Sequence, residues 1–116
     1  MPALRVWGEQ RTEPADEGRG FTLEPGRTHG CTIHRRDGRI YAGHSETEES
    51  VLFQIKTGWD VVEAQCLLDH HGYPVGDIDG AYDAGTERAV KRFQENAPDL
   101  AVDGIVGPHT WQVLRR

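Results

Sequence analysis

The side chains of this sequence best suited to chemistry are a cysteine near a histidine, a scatter of further imidazoles and a cluster of carboxylates. His29 and Cys31 lie in Thr28-His29-Gly30-Cys31, and an imidazole beside a thiol is the pairing that generates a thiolate for acyl transfer. With His34 and His44 they also offer the ligand types of a zinc site. Alternation along a strand sends Cys31 and His34 to opposite faces, and no Cys-x-x-Cys accompanies them, so these are read as scattered surface histidines. Asp77, Asp79 and Asp83 surround Gly80 in the manner of a calcium loop. The glycine is out of place, and the twelfth position from Asp77 is Arg88 rather than a glutamate, so calcium is not expected. The reading is of no metal and no cofactor.

The second pattern is a phrase written twice, 24 residues apart. Asp79-Gly80 is followed by Thr86 and the apolar pair Ala89-Val90; Asp103-Gly104 is followed by Thr110 and the pair Val113-Leu114. A short repeat at fixed period means one structural unit used twice around a shared core. Each copy reads as an Asp-Gly turn leading into a helix. Asp83 caps the first of these helices, while Gly107-Pro108 gives the second a permissive cap and a proline at its first position. An earlier helix begins near Trp59. There Asp60 and Glu63 have capping-box spacing, Val61, Ala64, Leu67 and Leu68 share a face, and Gly72 suits a left-handed C-cap.

Ahead of these helices the pattern differs. Residues 8–30 are rich in Gly, Pro, Glu, Arg and Thr without periodicity, and predict an extended arm ordered by a partner or by the rest of the chain. Cys31–His34 and Ile40–Ala42 flank Asp37-Gly38, a hairpin signal with Gly38 at positive φ, and Val51–Ile55 is a third strand candidate. The fold expected is mainly α: a compact three-helix domain over 59–116 behind a 1–58 segment of extended arm and short β-strands.

Bulk properties exclude several classes. The apolar fraction is 36% and the net charge −6, divided as −2 over residues 1–55 and −4 over 56–116. There is no basic stripe, so no nucleic-acid partner is expected. No run approaches membrane-spanning length, and the N-terminus has no apolar core of a signal peptide, so the expectation is cytoplasmic synthesis without membrane insertion. The two cysteines could form one bridge but not a disulfide framework.

Four linked phrases identify a resemblance: Val62-Glu63-Ala64-Gln65-x-Leu67-Leu68, Gly72-Tyr73-Pro74-Val75-Gly76-Asp77-Ile78-Asp79-Gly80, Thr86-x-x-Ala89-Val90-x-x-Phe93-Gln94, and Val102-Asp103-Gly104-Ile105-Val106-Gly107-Pro108-x-Thr110-Trp111. In order and spacing, residues 60–114 resemble the three-helix peptidoglycan-binding domain of cell-wall hydrolases and phage lysins. Asp83-Ala84 replaces the usual Gly-Pro, and His70-His71 lies where small or polar residues are typical. The resemblance implies a binding class without catalysis, its partner being bacterial peptidoglycan, and it hands over no defined site. Glycan recognition favours aromatic faces with fixed polar companions. Tyr82 is the aromatic candidate, and Asp79, Thr86, Arg88 and Asp103 are the polar ones. Against that stands a structural reading: Asp79 and Asp103 hold their own turns, Tyr82 is partly buried, and Trp111 is core. Thr28-His29-Gly30-Cys31 also resembles the nucleophile tetrapeptide of L,D-transpeptidases, but the long β-rich domain and upstream histidine of that pattern are missing.

An anchor needs something to anchor. The 1–58 segment is therefore expected to dock on a partner protein or larger particle, adding its strands to a partner sheet. A baseplate component of a phage tail or tail-like contractile injection particle fits, acting at the cell wall. The alternatives are an accessory binding subunit of a cell-wall hydrolase, or a purely structural assembly protein whose module no longer binds glycan.

Overall fold

The structure, a computed structural model, describes residues 16–116. A single 3-10 turn at Asp16–Gly18 leads into an extended stretch, then a hairpin of β1 (His34–Arg36) and β2 (Arg39–Tyr41). Three helices follow, α1 (Trp59–His70), α2 (Ala84–Glu95) and α3 (Pro108–Leu114). The expected architecture of a short hairpin ahead of three helices is observed. Residues 8–15 of the expected arm lie outside the described residues.

The hairpin turns on Asp37 (φ 54°) and Gly38 (φ 79°), both left-handed, which makes the tight turn whose twist matches the strands. His34 pairs with Tyr41 and Arg36 with Arg39. The first strand starts at His34, three residues later than the apolar run suggested, and Cys31 ahead of it is bridged to Cys66 of α1. The expected third strand does not form. Val51–Ile55 contributes one antiparallel bridge, Leu52 with Val106, and then turns: the Lys56 N–H donates to the Phe53 carbonyl (3.1 Å), with Ile55 at φ 77°.

Helix α1 is buried all round, from Val61 through Leu68, so it is the axis of the molecule rather than an amphipathic surface helix. The capping box predicted for Asp60 and Glu63 is absent. Gly58 is the N-cap and makes no side-chain cap bond, while Glu63 faces inward at 0% exposure. The C-terminus behaves as expected. Gly72 (φ 92°) is left-handed, its N–H donates to the Asp69 carbonyl (3.0 Å), and the Tyr73 N–H donates to the Leu68 carbonyl (2.8 Å). Asp83 caps α2 by accepting from the Thr86 N–H (3.0 Å), and Gly107-Pro108 opens α3.

What Glu63 does instead organises the molecule. Its carboxylate accepts from the N–H groups of Ala42 (2.8 Å), His44 (2.9 Å) and Ser45 (3.1 Å), and from Nη1 of Arg115 (2.9 Å). Arg115, 1% exposed, gives its remaining donors to the carbonyls of Ile40 (3.0 Å), Ser45 (3.1 Å) and Thr47 (3.0 and 2.7 Å). All five guanidinium hydrogens thus have an acceptor. The segment from Ile40 to Thr47 is thereby wound onto the helices, and Ile40 and Leu52 sit in the same buried cluster as Leu67, Val90, Trp111 and Leu114. Ile40 and Leu52, ahead of residue 58, thus share this core with residues of all three helices.

Removing one partner of a buried, hydrogen-bonded ion pair costs about 3–5 kcal/mol. Glu63→Ala is expected to lower the unfolding free energy by that amount in a denaturant titration; a loss below about 1 kcal/mol would contradict this arrangement.

Candidate functional site

The repeated Asp-Gly phrase is explained by two buried glutamines. Gln65 of α1 accepts from the Gly80 N–H (2.9 Å) and donates to Asp79 Oδ1 (3.4 Å), the Ala81 carbonyl (3.1 Å) and Thr86 Oγ1 (3.0 Å). Gln94 of α2 repeats the pattern. It accepts from the N–H groups of Asp103 (3.1 Å) and Gly104 (2.9 Å), and donates to Asp103 Oδ1 (3.0 Å), the Ile105 carbonyl (2.9 Å) and Thr110 Oγ1 (3.3 Å). One amide on one helix therefore clamps the following Asp-Gly turn and the first turn of the next helix. Gly80 is left-handed (φ 81°) and meets the Phe21 ring, so no side chain fits there.

Of the five sequence candidates, Tyr82 and Thr86 are buried, Asp79 is half-buried, and Asp103 and Arg88 are exposed. Asp79 accepts from the Ala81 N–H (3.0 Å) and Asp103 from the Ile105 N–H (2.9 Å), each holding its own turn. Thr86 is buried within the first clamp. Tyr82 is 2% exposed and its hydroxyl donates to the Gly104 carbonyl (2.6 Å), joining the two repeats. Burial, then the carboxylates of Glu87 and Asp103, pushes its ionisation above the usual tyrosine range. Arg88 stands apart from these contacts, exposed on α2. Trp111 is wholly buried, and its indole N–H donates to the Ser50 carbonyl (2.7 Å).

The sulfur of Cys31 is bonded to that of Cys66, so it is neither a thiolate nor a metal ligand in this state. Among the described residues no three histidine, cysteine or acidic side chains converge as a metal site. His29 lies in an aromatic cluster with Phe21 (6.2 Å) and Trp59 (5.2 Å). Burial, then the nearby His44 and Arg27, holds its pKa below the ordinary 6.5.

The clefts lie elsewhere. One of about 320 Å³ opens where the C-terminal ends of the helices meet, between His71 and Tyr73 after α1, the Asn96–Asp99 turn after α2, and Val113 and Arg116 of the last segment. Phe93 forms part of its lining, with Tyr73 edge-on to it at 5.6 Å and His71 at 5.4 Å. His71 is fixed by its Nε2 contact with the Leu114 carbonyl (2.8 Å). Aromatic rings beside an amide, a carboxylate and a guanidinium make a surface for ligands that have both apolar faces and hydrogen-bonding groups. Sequence reading missed this site because its residues come from three helix ends with no shared motif. The one signal was His70-His71, noted as a departure from the family pattern.

Residues 57–114 match the family described as "Putative peptidoglycan binding domain". This chain belongs to the peptidoglycan-binding domain family. Among curated proteins, the spore cortex-lytic enzyme of Bacillus subtilis is 50% identical over 70 residues, which is 60% of this chain and 23% of that protein. The Bacillus cereus spore cortex-lytic enzyme is 41% identical over 58 residues, 50% of this chain and 22% of that protein. The chain thus spans less than a quarter of the length of these relatives. Among solved structures, a peptidoglycan-binding protein from Clostridioides difficile in complex with glutamine hydroxamate aligns with a TM-score of 0.63 and 34% identity, covering 74% of this chain and 57% of that one. That coverage exceeds the half spanned by the family match, so the likeness reaches beyond the three helices. The SleB N-terminal domain gives a TM-score of 0.54 at 38% identity over 57% of this chain and 89% of that one. A Burkholderia AP3 phage endolysin gives 0.52 at 38% identity over 56% and 24%.

Tyr82→Phe removes one buried hydrogen bond and leaves the Gly104 carbonyl unpaired, an effect of about 1–3 kcal/mol. The variant is expected to unfold that much more easily while binding isolated cell walls as the parent does. Loss of wall binding at unchanged stability would instead make Tyr82 a ligand residue.

Proposed function

We propose that the chain is a non-catalytic module that holds whatever carries it against bacterial peptidoglycan, through the cleft between the helix ends. The observation behind this reading is that the family's module is present, its two repeats in this chain held by glutamine clamps, and the cleft built on it brings Tyr73 and Phe93 together with Asn96, Asp99 and Arg116. Its sequence relatives are cortex-lytic enzymes and one structural relative is a phage endolysin, which favours the role of a targeting part for a cell-wall hydrolase. The reading as a baseplate component of a tail-like particle has no comparable support. Docking of the 1–58 segment on a protein partner stays a proposal with less free backbone than the sequence implied, since residues 40–47 are engaged by Glu63 and Arg115. The Cys31–Cys66 bridge supports a working location outside the reducing cytosol.

Co-sedimentation with isolated, protein-free sacculi tests this. The full chain is expected to pellet, and Tyr73→Ala and Asn96→Ala are each expected to weaken binding about 5- to 10-fold, the effect of losing an aromatic contact or a hydrogen bond. Because the module is acidic, binding should rest on packing and hydrogen bonds, with little dependence on salt. Failure of the full chain to pellet, or release by moderate salt, would overturn the proposal.

A further inference from the structure

A second cleft, of about 440 Å³, lies away from the helix ends, where the arm at residues 19–21, the 45–50 loop and the first turn of α1 meet. Only Trp59 and Asp60 of its lining fall within the family-matched range. Its size suits a small ligand or one unit of a polymer.

Its chemistry is that of a neutral, hydrogen-bonding ligand. Trp59 and Phe21 pack edge to face at 5.1 Å. The Trp59 indole N–H is already engaged with the Arg19 carbonyl (2.8 Å), and its ring also meets His29 (5.2 Å), a stacked His44 (5.8 Å) and the Arg19 guanidinium (5.9 Å), so this half-buried residue offers the ring surface those neighbours leave and no donor. Thr47 and Ser50 lie 2.7 Å apart, oxygen to oxygen. Two hydroxyls bring two protons and the bond between them uses one, so a donor is left over. Asp60 accepts from the Val61 N–H through Oδ1 (2.9 Å) and takes part in no ion pair among the described residues, so its second oxygen remains an acceptor. The two nearby guanidinium groups have partners within the protein: Arg19 pairs with Asp16, and the buried Arg115 is saturated by Glu63 and backbone carbonyls.

We propose that this cleft binds an N-acetylhexosamine unit of the glycan strand. An acetamido group has one N–H, one carbonyl and one methyl. The cleft supplies one complement for each: the Asp60 carboxylate, the leftover Thr47/Ser50 proton, and the Phe21–Trp59 surface. The assignment rests on the wall-binding reading for its choice of glycan, and it divides recognition between the helix-end cleft and a site that only the N-terminal segment can complete.

The test uses the full, disulfide-bonded chain, 15N-labelled and titrated with chitotetraose, a peptide-free β-1,4-linked oligomer of N-acetylglucosamine. Saturable shifts are expected at the Trp59 indole N–H and the amides of Ser50 and Asp60. Asp60→Ala should weaken binding about 10-fold, as loss of a charged hydrogen-bond partner does. Ser50→Ala provides a second reading should Asp60→Ala fold poorly. Absence of saturable shifts, or shifts confined to Tyr73, Asn96 and Arg116, overturns the proposal. A parallel sedimentation with sacculi separates the two readings: wall binding without any chitotetraose response removes the second site alone, and failure of both removes the wall-binding reading with it.

Discussion

The carboxylate of Glu63 and the guanidinium of Arg115 meet at 2.9 Å with both side chains almost wholly excluded from solvent. Dehydrating two charges is expensive, and their mutual attraction alone does not guarantee a net gain. What makes the pair tolerable is saturation. Glu63 is matched by three backbone N–H groups and Arg115 by backbone carbonyls on the same stretch, residues 40–47. Residues 40–47, which bury Ile40, Tyr41 and Ala42, are thus also held by backbone bonds to an interior ion pair, and the pair is satisfied only when that segment is in place. The requirement runs both ways, and it ties residues 40–47 to the helices.

The two glutamine clamps are a second, independent layer. They fix the angle between successive helices by joining a helix body, an Asp-Gly turn and the next helix start through one amide. Tyr82 links the first unit to the second through the Gly104 carbonyl. The Cys31–Cys66 bridge adds a covalent tie across 35 residues, worth about 3–4 kcal/mol on chain-entropy grounds. Both clefts stand on these supports, one at the far ends of the helices and one where the arm crosses the first turn of α1.

Much of this was legible in the sequence, and for physical reasons. Caps, glycine C-termini and the Asp-Gly hairpin are local, so Asp83, Gly72 and Asp37-Gly38 behave as their types dictate. Glu63 was misread because capping-box spacing is also the spacing of a residue one turn into a buried helix; only the distant partner, Arg115, decides between them. The clamp glutamines precede their Asp-Gly turns by different intervals, 14 residues for Gln65 and 9 for Gln94, so they break the period that exposed the rest of the repeat. Aromatic and polar side chains at loop tips serve as ligand groups or as supports, and the sequence does not separate the two: Tyr82 is buried, whereas Asp103 holds its own turn and is exposed. The helix-end cleft is purely tertiary, and nothing in one dimension marks it.

The central claim is that residues 40–47 and the three helices form one cooperative unit through the Glu63–Arg115 pair. Native-state amide hydrogen exchange tests it most directly. The account predicts that the N–H groups of Ala42, His44 and Ser45 exchange only through global unfolding, with the same opening free energy as the interior amides of α1. Exchange of those three amides orders of magnitude faster than α1, by local release of the segment, would contradict it.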